Sequence, residues 1–339
     1  MLNLKTLPVR IFAKFLSFFS NLWLGNERAR LNLLINSLPK PATNLQKRTL
    51  ASEPCVLIII PFRDKWQLTD KCISSLVHQE MGDQKIKVLL LNNNSIEAET
   101  LENLPRWKML LTNKRIECEI MDDNSPFNFS ALNNRAAERA SANFSADVVL
   151  FLNNDIEFTN SKQLAEWSCW HQQQTNVGIS GATLLYPNHT IQHSCVLPGF
   201  KIVAAHPLRY FSEAVANEWC EHARCVPAVT GAALMIQWSI FQQLDGFDEA
   251  LAHACQDVDL CLKSLKAGYE NWVAPNVKLI HHESATRKAE HKPAEVKYFY
   301  SRWENEIEEL CKVSKKISRW NESPSLSFGE GTFPWRSFQ

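Results

Sequence analysis

Three polar side chains follow an uninterrupted apolar run near the middle of the chain and could bind a cation. The run covers residues 148–152, and Asn153, Asn154 and Asp155 come directly after it. Five apolar residues without a polar break are typical of a strand buried on both faces of a sheet. Ligands of open parallel sheets bind at the carboxyl ends of the strands. Asp155 could there hold a divalent cation against a phosphate; the alternative is an Asx-rich turn that caps the next segment.

Two further groups of polar residues mark the second half of the chain. Asp257 opens a predicted helix that ends at Gly268, a residue type favoured just past a helix C-terminus. His281 and His282 directly follow a short apolar segment at 277–280 that predicts a strand. A carboxylate at a helix start and imidazoles at a strand end are therefore candidates for chemistry.

Strands and helices alternate between residues 55 and 152. Apolar runs predict strands at 55–60, where Pro61 ends the strand, at 88–91, and at 116–120, which lies nearer an edge because acidic residues interrupt it. Two helices are marked by Leu68, Cys72, Ile73 and Leu76, and by residues 129–141. This order predicts an α/β fold with a doubly wound, mostly parallel sheet.

Polar tips follow three of these predicted strands. The tips are Pro61-Phe62-Arg63, Asn92-Asn93-Asn94 and Asn153-Asn154-Asp155. Right-handed crossovers bring the carboxyl ends of such strands to one edge of the sheet, which predicts a crevice for a nucleotide. The sequence contains neither the glycine-rich dinucleotide fingerprint nor the P-loop motif.

The remainder of the chain predicts a less regular half. Residues 230–236 read as a strand that something approaches closely at Gly231. Pro275 precedes the short strand at 277–280, and a last helix covers about 293–316. One face of that helix carries Val296, Tyr300, Trp303 and Ile307, a stripe typical of core packing.

Composition describes an ordinary globular protein without a nucleic-acid partner. The 339 residues are 45% hydrophobic and 21% charged, and 36 Lys and Arg balance 36 Asp and Glu. This balance gives no global basic field that would attract nucleic acid. Ten scattered cysteines without a leader sequence indicate a reducing, cytoplasmic location. Cys220 and Cys225 flank a histidine, but their spacing is unlike that of zinc ligands.

The N-terminal segment differs in charge from the rest. Residues 1–50 carry eight Lys and Arg against one acid, a net charge of +7, and apolar residues recur at helical spacing over 9–24. This pattern suits a helix lying on an anionic membrane surface, whereas the alternative is a helix packed on the main domain. The chain thus divides into a basic helical extension and linker (1–50), a main domain (51–290), and a C-terminal helix with an irregular tail (291–339). We expect a cytoplasmic protein that is peripheral on the inner membrane face.

Eight short motifs occur in one order between about residues 54 and 287. They are Ile58-Ile59-Ile60-Pro61, Leu91-Asn92-Asn93-Asn94-Ser95, Pro126-Phe127-Asn128-Phe129-Ser130-Ala131-Leu132-Asn133-Asn134, Phe151-Leu152-Asn153-Asn154-Asp155, Val229-Thr230-Gly231-Ala232, Gly246-Phe247-Asp248-Glu249, Asp257-Val258-Asp259-Leu260-Cys261-Leu262 and His281-His282-Glu283-Ser284-Ala285-Thr286-Arg287. Each motif alone is weak, but together they resemble the family 2 glycosyltransferases with a GT-A fold. The chain is most similar to the bacterial cell-surface polysaccharide type with a Phe-Asn-Phe-Ser motif.

The resemblance implies transfer of a sugar from a nucleotide-diphosphate donor to a hydroxyl of a glycan or lipid-linked acceptor, with inversion. It assigns Mg²⁺ or Mn²⁺ to Asp155 and to a histidine, for which His281 is favoured and His282 is the alternative. The metal would neutralise the charge of the leaving diphosphate. Asp257 matches the catalytic base; the alternative is that it only caps its helix.

Further residues are assigned by the resemblance to the donor and acceptor sides. The expected donor contacts are Pro61, Arg63, Asn92, Asn133, Asn154 and Arg287, and the acceptor side is expected at Thr230 and Gly231. The chain departs from the family pattern where Asn92 and Asn153 replace acids and where Gln256 replaces a Glu. These losses leave open a catalytically idle scaffold that binds nucleotide-sugars or glycans. A sugar nucleotidyltransferase is disfavoured because no glycine-rich basic loop follows the first strand.

Overall fold

The structure is a computed structural model that describes residues 47–198, 204–206, 208–282 and 293–321, the last segment with side chains as far as Ile307. The predicted basic helix and Arg287 lie outside these residues. The first half alternates strictly between strands and helices. Its elements are β1 (Val56–Phe62), α1 (Trp66–Val77), β2 (Ile86–Asn92), α2 (Ala98–Asn113), β3 (Glu117–Asp122), α3 (Phe129–Ser141) and β4 (Val148–Leu152).

The second half has shorter strands and mixed directions. Its elements are β5 (Ile156–Phe158), α4 (Gln163–Gln173), β6 (Val177–Leu185), β7 (Ile191–His193), β8 (Leu197–Pro198), β9 (Ala204–Ala205), α5 (Glu213–Cys220), β10 (Arg224–Cys225), β11 (Ala233–Gln237), α6 (Trp238–Gln243), α7 (Gln256–Lys266), β12 (Glu270–His281) and α8 (Pro293–Asn321). No helix in the described part of the chain is long and apolar enough to span a membrane.

One large sheet organises these elements. Its strand order is β10-β12-β6-β11-β4-β1-β2-β3, with β5 added to β12 and β7 to β6, and β8 pairs with β9 separately. β1, β2, β3 and β4 are mutually parallel, β11 is antiparallel to both of its neighbours, and β6 and β12 are parallel. The predicted doubly wound, mostly parallel sheet is confirmed, and β3 lies at an edge as its acidic residues indicated.

Alternation along β1 sends its side chains to two separate cores. Leu57 and Ile59 pack on the α3 side with Ala136, whereas Ile58 packs on the other side with residues such as Cys72 of α1. All five of the apolar residues of β4 are buried to within 1% of complete. Such strands need helices on both faces, which explains their continuous apolar sequence.

The bounds predicted for two strands were wrong because a proline lies inside each of them. β1 continues through Pro61 to Phe62, because its pairing with β4 ends at Ile59 and the proline needs no hydrogen bond on that side. β12 begins at Glu270, well before the predicted start, and a bulge with Asn276 at a φ of 59° accommodates Pro275.

Two of the elements that the sequence-based prediction did not include, α2 and β6, show why it missed them. α2 contains Pro105, which hid its buried stripe of Thr100, Trp107 and Leu111. β6 is buried along its full length although it carries Gly178 and Gly181. A Cβ atom at Gly181 would lie 2.6 Å from Val229 Cβ, so the glycine permits an approach that no side chain allows.

The C-terminal helix packs on the main sheet domain through the predicted stripe. Trp303 and Ile307 are buried, and Val296 and Tyr300 are half-buried against the same core. The core-packing interpretation is confirmed, and Phe299, which the stripe left out, is fully buried as well.

Candidate active site

Asp155 and His281 meet at the carboxyl edge of the sheet. β12 pairs with β5 so that His281 lies opposite Ile156, the residue after Asp155. Asp155 Oδ1 is 3.1 Å from His281 Nε2, and both side chains are largely buried. Burial acts to raise the pKa of Asp155, but the hydrogen bond and charge of His281 outweigh it and hold this pKa below its ordinary value.

The second ring nitrogen of His281 is also held. Its Nδ1 lies 2.5 Å from Oε1 of Gln192, and the Gln192 amide nitrogen lies 3.5 Å from the His281 carbonyl oxygen. Because an amide oxygen only accepts, Nδ1 carries a proton, and a neutral ring then turns the Nε2 lone pair toward Asp155.

This donor set fits a divalent cation. Apart from His281 Nε2 at 3.1 Å, the buried Asp155 Oδ1 has no partner, so a divalent cation at this point could be coordinated by the carboxylate oxygen and the ring nitrogen together. Metal-binding histidines usually donate their other N–H to a carbonyl or carboxylate, as His281 does to Gln192.

His282 faces a different carboxylate. Its Nε2 lies 2.6 Å from Glu157 Oε1, while its backbone N–H donates to the Asp155 carbonyl at 3.0 Å. Successive residues of a strand point to opposite faces, so His281 and His282 cannot both reach Asp155. The geometry therefore favours His281 over His282 as the partner of Asp155.

Protein ligands for a cation are few. Among the described residues no group of three or more His, Cys, Asp or Glu is arranged to hold a metal. Mg²⁺ commonly binds through one or two carboxylates and completes its shell with waters and substrate phosphates, so a two-ligand site is compatible with a diphosphate substrate. Burial raises the pKa of both Cys220 and Cys225 to about 11, which disfavours thiolate ligands there.

Asp257 lies in the first turn of α7 and binds backbone outside its helix. Gly231 N–H donates to its Oδ2 and Val258 N–H to its Oδ1, both at 2.8 Å. Burial raises the pKa of Asp257 although these N–H groups act to lower it. A carboxylate in this environment is more basic than an ordinary aspartate.

The predicted close approach at Gly231 is confirmed, and the approaching group is Asp257. A Cβ atom at Gly231 would lie 3.3 Å from Asp257 Cβ and 3.5 Å from the Phe129 ring. Any side chain at this position would displace the carboxylate, so glycine is required here. Thr230 N–H donates to His193 Nε2 at 3.3 Å, which fixes the backbone just before Gly231.

Asp155, His281 and Asp257 lie at the same edge of the sheet. Asn153 N–H donates to the Ala232 carbonyl at 2.8 Å, where β4 and β11 diverge. Asp155 lies two residues after Asn153, and Gly231, which binds Asp257, lies one residue before Ala232. The fold thus brings together residues that are 102 positions apart in sequence.

Several residues of this edge escaped the sequence-based prediction. Gln192 and His193, both in β7 and both buried, connect to His281 and Thr230. Burial and the neighbouring His206 and His281 hold the pKa of His193 well below its ordinary value, so its ring is neutral. A three-residue strand gives no sequence signal that links it to a site 90 residues away.

The expected donor residues lie along the tips of β1, β2 and β4. Asn92 donates to Asp122 Oδ1 at 2.8 Å and accepts from Ser95 N–H at 3.0 Å. Asn154 donates to Thr69 of α1 at 2.9 Å, and Arg63 is exposed. Asp64 ties the β1 tip to the β2 tip by accepting from the N–H groups of residues 96 and 97.

Asn133 occupies a different environment from the other donor candidates. It is fully buried, its amide nitrogen donates to the Phe129 carbonyl within α3, and its Oδ1 has no hydrogen-bond partner. Its contact with a nucleotide stays a prediction, as do the contacts of Pro61, which is half-buried in β1.

Solved glycosyltransferases share this architecture. The structure of GalNAc-T7 with UDP, GalNAc and Mn²⁺ superimposes with a TM-score of 0.60 at 12% identity, over 75% of this chain and 50% of that one. The mannosyltransferase PcManGT from Pyrobaculum calidifontis, in complex with GDP-Man and Mn²⁺, gives a TM-score of 0.54 at 15% identity, over 81% and 68% of the two chains. The fold is therefore that of the GT-A glycosyltransferases.

Sequence comparison identifies the family within this fold. Residues 57–184 match the profile of Glycosyl transferase family 2. The O-antigen biosynthesis protein RfbC of Myxococcus xanthus is 33% identical over 266 residues, 78% of this chain, and the uncharacterized protein y4gI of Sinorhizobium fredii is 34% identical over 260 residues, 74% of this chain. The chain belongs to the family 2 glycosyltransferases. It spans only 20% and 28% of the length of these two relatives, respectively.

Proposed function

We propose that the chain transfers a sugar from a nucleotide-diphosphate sugar to a hydroxyl of a glycan or lipid-linked acceptor, with inversion at the anomeric carbon. The observation that carries this proposal is the single edge at which Asp155, His281 and Asp257 lie, within a family 2 glycosyltransferase fold. The name of RfbC motivates a role in O-antigen-like cell-surface polysaccharide synthesis.

Asp155 and His281 are the residues that would hold a divalent cation, Mg²⁺ or Mn²⁺. When bound, such a cation neutralises the charge that develops on the leaving diphosphate. Gln192 keeps the His281 ring in one orientation and leaves its Nε2 lone pair directed at the site. The Mn²⁺ in both structural neighbours supports this assignment.

Asp257 accepts the proton of the acceptor hydroxyl as that oxygen attacks the anomeric carbon. The bond from the anomeric carbon to the diphosphate oxygen breaks as the new glycosidic bond forms, and the proton leaves on the carboxylate. The N–H groups of Gly231 and Val258 hold the carboxylate in place, and its raised pKa increases its basicity.

The environment of Asp259, the other carboxylate of α7, supports the proposal of inversion. Asp259, the nearest acid in sequence, is fully buried and accepts from Trp303 Nε1 at 2.7 Å. It is held by a tryptophan and cannot serve as a nucleophile for a covalent sugar intermediate. One base without a nucleophile matches a single displacement.

The donor contacts are proposed at the tips of β1, β2 and β4. Pro61, Arg63, Asn92 and Asn154 would contact the nucleoside diphosphate, with Arg287 and Asn133 as further candidates. Thr230 and Gly231 would line the acceptor side. The UDP and GDP-Man of the structural neighbours are nucleotides of the expected class.

Nucleotide release from a panel of UDP-, GDP- and dTDP-sugars with Mn²⁺ tests this function. We expect Asp257→Asn to reduce turnover by about 10²–10⁴-fold, as loss of a general base does. Asp83→Asn, which changes an exposed aspartate of the α1–β2 loop, is the matched control and should retain wild-type turnover. If wild type binds a donor but neither hydrolyses nor transfers it, the chain is the binding scaffold instead.

A further inference from the structure

We propose that Tyr186, Arg209 and Tyr210, named here the tyrosine platform, bind a pyranose ring of the acceptor glycan beside the transfer site. This inference rests on the proposed function and adds to it the chemical class of the acceptor. None of the three residues is among those assigned above to the cation or to the base.

The platform begins at Tyr186, at the strand position next to His281. Leu185 of β6 pairs with Ile280 of β12, so Tyr186 and His281 follow at neighbouring positions on the same edge of the sheet. Ile191 of β7 also pairs with Leu185, and its successor Gln192 binds His281. The platform therefore starts from the same edge of the sheet as His281.

The three side chains form a preorganised surface. The Tyr186 and Tyr210 rings are stacked with centroids 5.5 Å apart and an angle of 6° between their planes. Arg209 Nε donates to Tyr186 Oη at 2.7 Å, and its guanidinium carbon lies 5.1 Å from the Tyr210 ring centre. A surface that is already ordered loses little conformational entropy when a ligand binds.

Packing does not account for the position of Tyr210. The residue is 58% exposed and adopts a φ of 70°, a backbone conformation that L-residues other than Asn and Asp rarely take. Its N–H donates to the Ile191 carbonyl at 2.6 Å, which holds the strained backbone against β7. Strain of this kind concentrates at functional sites, where the surrounding structure maintains it.

The chemistry of the platform suits a sugar. A tyrosine ring offers a flat apolar face and a polar hydroxyl, and a pyranose offers C–H groups on one face and hydroxyls around its edge. A hydrocarbon chain would need a longer continuous apolar surface than one exposed ring provides. A bare anion is disfavoured because the Arg209 guanidinium is already engaged with both tyrosines.

A cavity opens on the opposite face of the strand end from His281, where the chain continues past Tyr186. This cavity of about 410 Å³ includes Pro187, which follows Tyr186, and His282, which follows His281, among its lining residues. This volume is within the range of ligand sites in proteins. Lys71, Ser74 and Ser75 also line it and supply hydrogen-bonding groups.

Binding of methyl glycosides of glucose, galactose, mannose, N-acetylglucosamine and rhamnose to the full chain, measured by saturation-transfer NMR with UDP and Mn²⁺, tests the platform. The key variant is Tyr210→Asn, because asparagine tolerates a positive φ and removes the ring without added strain. We expect it to raise the Kd of the bound glycoside by about tenfold or more while its Tm stays equal or rises. Tyr210→Phe should keep the affinity within about threefold, since the ring remains.

Met109→Ala, at an exposed apolar residue of α2, is the control and should leave the Kd unchanged. Unchanged glycoside affinity in Tyr210→Asn would overturn the platform, as would failure of every glycoside to bind wild type. Donor hydrolysis without acceptor separates the two proposals. Wild-type hydrolysis or transfer with an unaffected Tyr210→Asn Kd rejects the platform alone, whereas a wild type that neither hydrolyses nor transfers any donor rejects the proposed function.

Discussion

Asp257 is a buried carboxylate that accepts hydrogen bonds from two backbone N–H groups. Gly231 and Val258 supply N–H groups that hold the ionised carboxylate, while burial raises its pKa. With its pKa raised, this carboxylate accepts a proton more readily than a solvated aspartate does. The cost falls on the stability of the folded state, because a buried charge is poorly solvated.

Stability should therefore depend on pH through Asp257. Its pKa is raised in the folded state, so the stabilisation is complete below the unfolded pKa of about 4 and is lost as the pH rises through the folded value. We expect the Tm of wild type minus the Tm of Asp257→Asn to be larger at pH 4.5 than at pH 7.5. Thermal unfolding at several pH values measures this difference, and curves that stay parallel would contradict the raised pKa.

Gln192 is expected to control metal affinity through His281. Gln192→Leu removes the acceptor that orients the ring, and loss of such a partner typically weakens metal binding by about 10–100-fold. Electron paramagnetic resonance of free Mn²⁺ during titration gives the Kd without an activity assay. Gln243→Leu, at an exposed glutamine bound to Tyr269, serves as the control. Equal Mn²⁺ affinity in both variants would remove Gln192 from this role.

At the scale of elements, α8 contacts the segment that precedes Asp257 and holds its backbone in place. Glu295 accepts from the N–H groups of His253 and Ala254 at 3.0 and 3.1 Å, close before Asp257. Trp303 Nε1 donates to Asp259, and Arg302 pairs with Asp248. The C-terminal helix α8 thus helps to hold α7 in position.

Removal of the tryptophan donor should destabilise this contact. Trp303→Phe leaves the buried Asp259 Oδ1 without its Nε1 partner, which costs about 1–3 kcal/mol. A double-mutant cycle with Asp259→Asn, read by chemical denaturation, isolates the pair from the lost ring contacts. We expect a coupling energy of about 1 kcal/mol or more; additive effects would show that the two side chains do not depend on each other.

At the scale of the molecule, parallel and antiparallel strands each bring different residues of the proposed site to one edge of the sheet. Parallel strands β1, β2 and β4 deliver the donor-side tips, whereas β12 and the inserted β5 deliver His281 next to Asp155. Antiparallel β11 brings Gly231 to the same edge from the opposite direction. Ligands that bridge these tips should therefore stabilise the whole sheet.

A matching donor should raise the Tm of the full chain. Binding to the folded state at 100 times its Kd adds about 2.7 kcal/mol to the free energy of unfolding. For a chain of this size that corresponds to a rise on the order of 4 °C. A thermal-shift screen of UDP-, GDP- and dTDP-sugars with Mn²⁺ identifies the donor. A shift that is the same for a sugar nucleotide and for its free sugar would contradict specific donor binding.

The charge of residues 1–50 predicts binding to anionic membranes. Its net charge of +7 is worth about 1 kcal/mol per basic residue near such a surface. We expect the full chain to sediment with phosphatidylserine vesicles but not with neutral phosphatidylcholine vesicles. A variant with Lys5, Arg10 and Lys14 changed to alanine should bind more weakly, and equal sedimentation of both proteins would refute the idea.

The sequence alone determined most of the strand–helix alternation of the first half and the carboxylate, Asp155, for which we propose cation binding. Strands buried on both faces, such as β4, need continuous apolar runs, so their signal is local and Asp155 marks where the strand ends. The same locality explains α3 and the start of α7, whose bounds depend on neighbouring residues. Pro105 in α2 and the glycines of β6 concealed elements because their tolerance depends on what packs against them.

Only the tertiary structure decided which residues meet. Sequence treated His281 and His282 as alternatives, and the register of β12 on β5 turned the first toward Asp155 and the second toward Glu157. Side chains alternate along a strand, so a shift of one residue would exchange the two roles. Gln192 reaches His281 for the same reason: pairing between distant strands, not the type of residue, sets its position.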